Sequence, residues 1–215
     1  MKSHGGCTRF ISEFSFLRRP CMRPLLAAAV TLVLFGHSIS AHAAPATSSS
    51  RSQAHVYLLR GVLNIFSLGL DEIAAKLEQQ GIRASVSNYL FWSSVADEAA
   101  AEYRSGRIRT IILVGHSSGA TILPDMVERL DKLGAPVKLA IGLDSVFQTS
   151  LSGRVGRYIN FYVANGAGTP VQGTRQLQGK LENVDVERIP GVGHMTIDKN
   201  QIMQQKVISA INAAL

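Results

Sequence analysis

Short apolar runs alternate along this chain with stretches whose apolar residues recur every three to four positions. Residues 55–60 (HVYLLR) form a β-branched and aromatic run closed by Gly61, which predicts a strand. Over 70–80, Leu70, Ile73, Ala74 and Leu77 make one helical stripe, ended by Gly81. A strand over 82–87 and an Ala- and Glu-rich helix over 93–105, with Gly106 at its end, come next. The run 108–114 is apolar without alternation, the mark of a strand buried on both faces. Helical spacing returns over 120–133 through Ile122, Leu123, Met126, Val127 and Leu130, with Pro124 in the first turns, where proline is tolerated. Further strands are predicted at 137–143, 158–164 and 184–189, and a final helix over 198–215 with Ile202, Val207, Ile208 and Ile211 on one side.

This order predicts an α/β fold: a single three-layer domain with a mainly parallel sheet of about six strands and helices on both faces. The sequence carries no internal repeat and no sign of a second domain. In such sheets ligands sit at the carboxyl ends of the strands, so residues that do chemistry should directly follow strands.

Composition changes this picture mainly at the N-terminus. The formal net charge of +7 raises the question of a nucleic-acid partner. Residues 1–44 hold Lys2, Arg9, Arg18, Arg19 and Arg23 against the single anion Glu13, so most of the excess lies there. No basic stripe interleaved with aromatics follows, and a nucleic-acid partner is not expected. Arg18, Arg19 and Arg23 precede an apolar run of about 11 residues, followed by the small-x-small site Ala41-His42-Ala43. Residues 1–44 therefore read as a cleavable signal peptide, 45–54 as a flexible lead-in and 55–215 as the folded domain. The run is too short for a permanent membrane span, so a periplasmic or secreted protein without a stable span is expected. Both cysteines, Cys7 and Cys21, fall in the leader, which removes thiol catalysis and zinc–thiolate chemistry from the mature chain.

The candidate chemistry lies at Gly115-His116-Ser117-Ser118-Gly119, a G-x-S-x-G motif between a buried strand and a helix. A serine on so sharp a turn needs minimal neighbours two residues to either side, because the backbones crowd there. Its hydroxyl also needs a base. The mature chain has three histidines. His116 adjoins the serine and points elsewhere, and His55 begins the first strand at the far end of the sheet. His194, in the loop after the last strand, remains as the candidate base. An acid should orient it. Asp144, directly after the strand 137–143, is preferred over Asp185, placed inside a strand, and Asp198, read as the N-cap of the last helix. Oxyanion donors would be the N–H of Ser118 and, beside Gly61, the N–H of Val62.

With the elbow GHSSG, the edge Asp144, the late His194 and Arg60-Gly61-Val62 after the first strand, the mature chain resembles the α/β-hydrolase superfamily, especially small lidless lipases, esterases and thioesterases. It departs from many of them in having Arg-Gly where they carry His-Gly, and in placing its acid after an earlier strand. The resemblance implies acyl transfer to water through an acyl-serine, with no cofactor or metal, and does not name the substrate. The expectation is an exported serine hydrolase of carboxylic esters or thioesters with a small-molecule or lipid-like acyl ester as substrate. Apolar residues in the loop 61–70 (Leu63, Ile65, Phe66 and Leu68) read equally as the wall of an acyl pocket or membrane-facing surface, and as packing beneath the loop. The rival reading from another class is a non-catalytic protein of the same fold that binds a lipid or cell-envelope ligand.

Overall fold

The computed structural model describes residues 50–215 apart from Leu63, Ile65 and Phe66. The leader assigned to 1–44, the start of the lead-in and three of the four apolar loop residues lie outside the described residues. The described part of the lead-in is not featureless: residues 50–52 are helical, and Gln53 accepts the N–H groups of Arg109 and Thr110 through its carbonyl.

Six strands form one sheet: β1 (Ala54–Arg60), β2 (Arg83–Asn88), β3 (Thr110–His116), β4 (Val137–Leu143), β5 (Ser150–Tyr162) and β6 (Gln172–Asp185). Their order is β2-β1-β3-β4-β5-β6, and every neighbouring pair is parallel. The helices are α1 (Gly69–Glu78), α2 (Trp92–Arg104), the short α3 (Ser118–Thr121), α4 (Leu123–Lys132) and α5 (Gln201–Ala214).

Successive strand residues point to opposite faces, and both faces are covered. Val56, Leu58, Ile112, Val114, Leu139 and Ile141 pack beneath α1 and α5, against Leu70, Ile73, Leu77, Met203, Val207 and Ile211. Tyr57, Leu59, Ile111, Leu113 and Ala140 pack on the other side against Ala96 and Ala99 of α2 and Leu123, Met126, Val127 and Leu130 of α4. The near-continuous hydrophobicity of β1 and β3 follows from this double burial. The three-layer α/β expectation holds.

The C-terminal third differs from the sequence pattern. The stretch 165–181, between the strands predicted at 158–164 and 184–189, is mostly β6, and β5 begins eight residues before the predicted 158. Strand β6 escapes notice because it is an edge strand whose side chains are largely solvent-exposed, so QGTRQLQGK shows no apolar alternation. No helix joins β4 to β5 or β5 to β6. Instead, the first residues of β5 lie along α4, with Ser152 Oγ donating to Glu128 (3.1 Å) and Arg154 Nε to Asp131 (2.6 Å). Leu151 and Leu177 of this paired ribbon join the α4 side of the core. The segment 186–189, predicted as strand, is a turn closed by Ile189 N–H on the Val186 carbonyl. The carboxyl ends of β1, β3, β4 and β6 are thereby left to carry the loops described next.

Candidate functional site

The elbow is built by close approach. Gly115 and Gly119 face each other so tightly that a Cβ on Gly115 would stand 2.4 Å from the Gly119 carbonyl oxygen, and one on Gly119 would stand 2.0 Å from that of Leu59. Between them Ser117 adopts φ 58°, ψ −121°, a conformation non-glycine residues rarely occupy. Its N–H is held by the Leu143 carbonyl (3.0 Å), and its own carbonyl accepts the N–H of Thr121 (2.9 Å). Neighbouring structure thus enforces the strained serine. Ser118 opens α3, so its N–H is among those without an intrahelical acceptor.

Strand β4 pairs with β3 through Gly115↔Gly142 and His116↔Leu143, so Asp144 leaves the sheet one strand over from Ser117. Asp144 also has positive φ (57°) and is fully buried. One carboxylate oxygen accepts the Val163 N–H (2.8 Å); the other accepts His194 Nδ1–H (2.7 Å). The loop carrying His194 is folded on itself: Gly193 N–H donates to Thr196 Oγ1 (2.9 Å), which donates to the Gly191 carbonyl (2.8 Å). With its Nδ1 proton committed to Asp144, His194 presents Nε2 as the acceptor for Ser117 Oγ–H at 3.0 Å. The structure therefore brings Ser117, His194 and Asp144 into one hydrogen-bonded line, with the imidazole partly exposed and the carboxylate buried.

Opposite the serine, Gly61 comes so near that a Cβ there would lie 2.9 Å from Ser117 Cβ. Val62 follows it and lines a cavity of about 170 Å³ together with Gly61, Ser67, His116, Ser117, His194 and Met195. Arg60 braces this loop. Its guanidinium binds Asp71 at the start of α1, with Nε–Oδ2 3.1 Å, and donates to Asn64 Oδ1 at 3.0 Å.

The two alternative acids lie elsewhere. Asp185 ends β6 and accepts the N–H of Glu187 (3.0 Å). Asp198 does not cap the last helix; Asn200 does, accepting the N–H groups of Ile202 and Met203. The Asp198 carboxylate is instead buried, accepts the Gly69 N–H at the start of α1 (2.9 Å) and leaves its other oxygen without a protein partner. Burial pushes its pKa up, only partly offset by the nearby His116.

His55 gives an instructive contrast. At the amino end of the sheet its Nδ1 meets Glu102 (2.8 Å) and its Nε2 meets Ser85 Oγ (3.0 Å), within 0.1 Å of the separations in the line above. Ser85 sits mid-strand in β2 and not on a strand-to-helix elbow. Distances alone do not make a nucleophile. Glu102 also accepts from Tyr57 (2.7 Å) and Arg83 (2.7 Å). Although burial opposes the charge, these hydrogen bonds win and hold the Glu102 carboxyl down at about 2.

Two participants have no signal in the sequence. Ser67 and His116 are both buried and bonded to each other beneath the cavity, yet lie 49 residues apart. Among the described residues, no group of three or more His, Cys, Asp or Glu side chains is placed to hold a metal ion, and no helix is long and apolar enough to cross a membrane.

No family model matches the chain, and no curated protein matches it. Solved structures do match it in shape. One is the RedJ thioesterase from the prodiginine biosynthetic pathway of Streptomyces coelicolor, with 10% identity and a TM-score of 0.45, covering 78% of this chain and 87% of that one. Another is RedJ with a PEG molecule bound in its active site, with 11% identity and a TM-score of 0.44, covering 78% and 94%.

Proposed function

We propose that this protein is a serine hydrolase of the α/β-hydrolase type that cleaves carboxylic esters or thioesters through an acyl-serine intermediate. The observation that carries the reading is the 3.0 Å contact between Ser117 Oγ and His194 Nε2, made by a serine held in a strained elbow. In the first half-reaction His194 Nε2 takes the Ser117 proton as Oγ attacks the acyl carbon. Asp144 orients the imidazole and stabilises the imidazolium as it forms. The negative charge passing to the acyl oxygen is met by the N–H groups of Val62 and Ser118, each such donor being worth ~2.7–4 kcal/mol of barrier. His194 then gives its proton to the departing alcohol or thiol. In the second half-reaction it removes a proton from water, whose attack releases the acid and restores Ser117.

Partly exposed Val62 and Met195 rim the cavity and suit an acyl group rather than a charged one. The leader read in residues 1–44 supports export to the periplasm or beyond. Export favours esters, since thioesters of coenzyme A and carrier proteins are mostly cytoplasmic. The test is hydrolysis of p-nitrophenyl esters by the mature protein beside Ser117→Ala and His194→Ala. Turnover lost in both variants while their thermal unfolding matches wild type is the expected result. A folded wild type without turnover would favour a ligand-binding protein of the same fold.

A further inference from the structure

Parts of the proposed site hang on three separate loops: one oxyanion donor after β1, the nucleophile and the other donor after β3, and the base after β6. A single chain of hydrogen bonds runs beneath all of them. Gly61 N–H donates to Ser67 Oγ (3.0 Å), Ser67 Oγ meets His116 Nδ1 (2.8 Å), and His116 Nε2 meets the main-chain carbonyl of His194 (2.8 Å). The two ends fix the direction of the terminal bonds. A main-chain N–H can only donate and a carbonyl can only accept. His116 must therefore carry a proton on Nε2, and on a neutral ring its Nδ1 accepts the one proton of Ser67.

Both side chains are about 1% exposed, so no water competes for these bonds. Burial also lowers the His116 pKa, in keeping with a neutral ring. A second tie runs parallel, from Gly69 N–H to the buried Asp198 carboxylate in the base loop. The imidazole of His194 is thus positioned twice: its ring by Asp144, its backbone by His116.

We infer that Ser67 and His116 are positioning residues that set the distance between the oxyanion donor beside Gly61, the Val62 N–H, and the base His194. This rests on the hydrolase reading above. Neither residue is hydrogen-bonded to Ser117 Oγ or to the His194 ring, although the His116 and His194 ring centroids lie 5.3 Å apart. Removing either leaves a buried partner unsatisfied and frees one loop relative to the other, and displacements near 1 Å at a reacting centre cost about 100-fold in rate.

The test uses the mature protein with Ser67→Ala, His116→Ala, His116→Gln and the Ser67→Ala/His116→Ala double variant. Turnover is expressed per active site, titrated with a fluorophosphonate, so that loss of folded material does not count. The expected result is a kcat lower by roughly 10- to 100-fold in each alanine variant, with KM changed far less. The double variant should be no worse than the poorer single one, because one chain is broken twice. His116→Gln, whose amide N–H can still reach the His194 carbonyl, should recover part of the loss. In parallel, ¹⁵N NMR of wild type at pH 7 should give His116 as the neutral Nε2–H tautomer.

Alanine variants that keep wild-type kcat per site, or whose effects simply multiply, would overturn the inference while leaving the hydrolase reading intact. So would an Nδ1–H tautomer. Absence of any wild-type turnover would overturn the hydrolase reading itself, and the catalytic role of the brace with it.

Discussion

Glu102→Gln should weaken the fold without touching the proposed chemistry, and its size follows from the contacts. The carboxylate receives His55, Tyr57 and Arg83, with Arg107 at 3.9 Å. These partners bring its pKa from an ordinary 4.5 to about 2. Each unit is worth ~1.4 kcal/mol, giving an upper figure of roughly 3 kcal/mol. Arg83 and Arg107 are 51% and 63% exposed, so solvent screens part of the interaction, and roughly 2 kcal/mol is the better expectation. The folded-state pKa is depressed, so this stability is fully present above pH 4.5 and is lost as pH falls towards 2. Glutamine also turns an amide donor towards donors on Arg83 or Tyr57. At neutral pH the variant should melt several degrees lower, at about 2–4 °C per kcal/mol. The gap from wild type should close as pH falls from 5 to 3. Circular dichroism melts across that range measure it, with ester turnover at 25 °C as the control. Equal melting temperatures at pH 7, or a gap that widens on acidification, would refute the assignment.

Other substitutions probe the site itself. A Cβ on Gly168 would lie 1.8 Å from Asp144 Oδ1, so Gly168→Ala should push the acid off His194 and lower kcat by about 100-fold with the fold retained, as read by kinetics beside circular dichroism. Asp198→Asn removes a buried charge while keeping an acceptor for Gly69. Because the folded-state pKa of Asp198 is raised, wild type loses stability as pH rises from the ordinary carboxylate range through that pKa. The variant's melting temperature relative to wild type should therefore be higher at pH 7 than at pH 4; a fall would contradict the assigned direction. The small cavity over Ser117 predicts that kcat/KM falls from p-nitrophenyl acetate or butyrate to palmitate, and a steady rise with chain length would exclude this cavity as the acyl site.

The parts legible in the sequence were those that local crowding or double burial dictates. Gly115 and Gly119 are glycines because a Cβ on either would crowd a carbonyl oxygen, that of Gly119 at 2.4 Å and that of Leu59 at 2.0 Å, and both demands fall on one five-residue turn. Ile111–Val114 are uniformly apolar because helices cover both faces of β3. Asp144 and His194 could be placed from the strand ends they follow, since a parallel sheet brings those ends to one edge. Strand β6 was illegible because an exposed edge needs no apolar code, and its pairing partner β5 bends over α4 rather than crossing through a helix. Asp198 looked like a local helix cap because its partner, Gly69, lies 129 residues away. The same holds for Ser67 and His116: their pairing comes from the fold, and neither residue type is unusual where it stands.

Covalent labelling of the mature protein with a fluorophosphonate, mapped by mass spectrometry of the peptides, tests the central claim most directly. The account predicts one adduct on Ser117, absent from Ser117→Ala and slowed in His194→Ala, with Ser85 unmodified despite its 3.0 Å contact with His55. No adduct on folded protein, or an adduct that persists in Ser117→Ala, would contradict it.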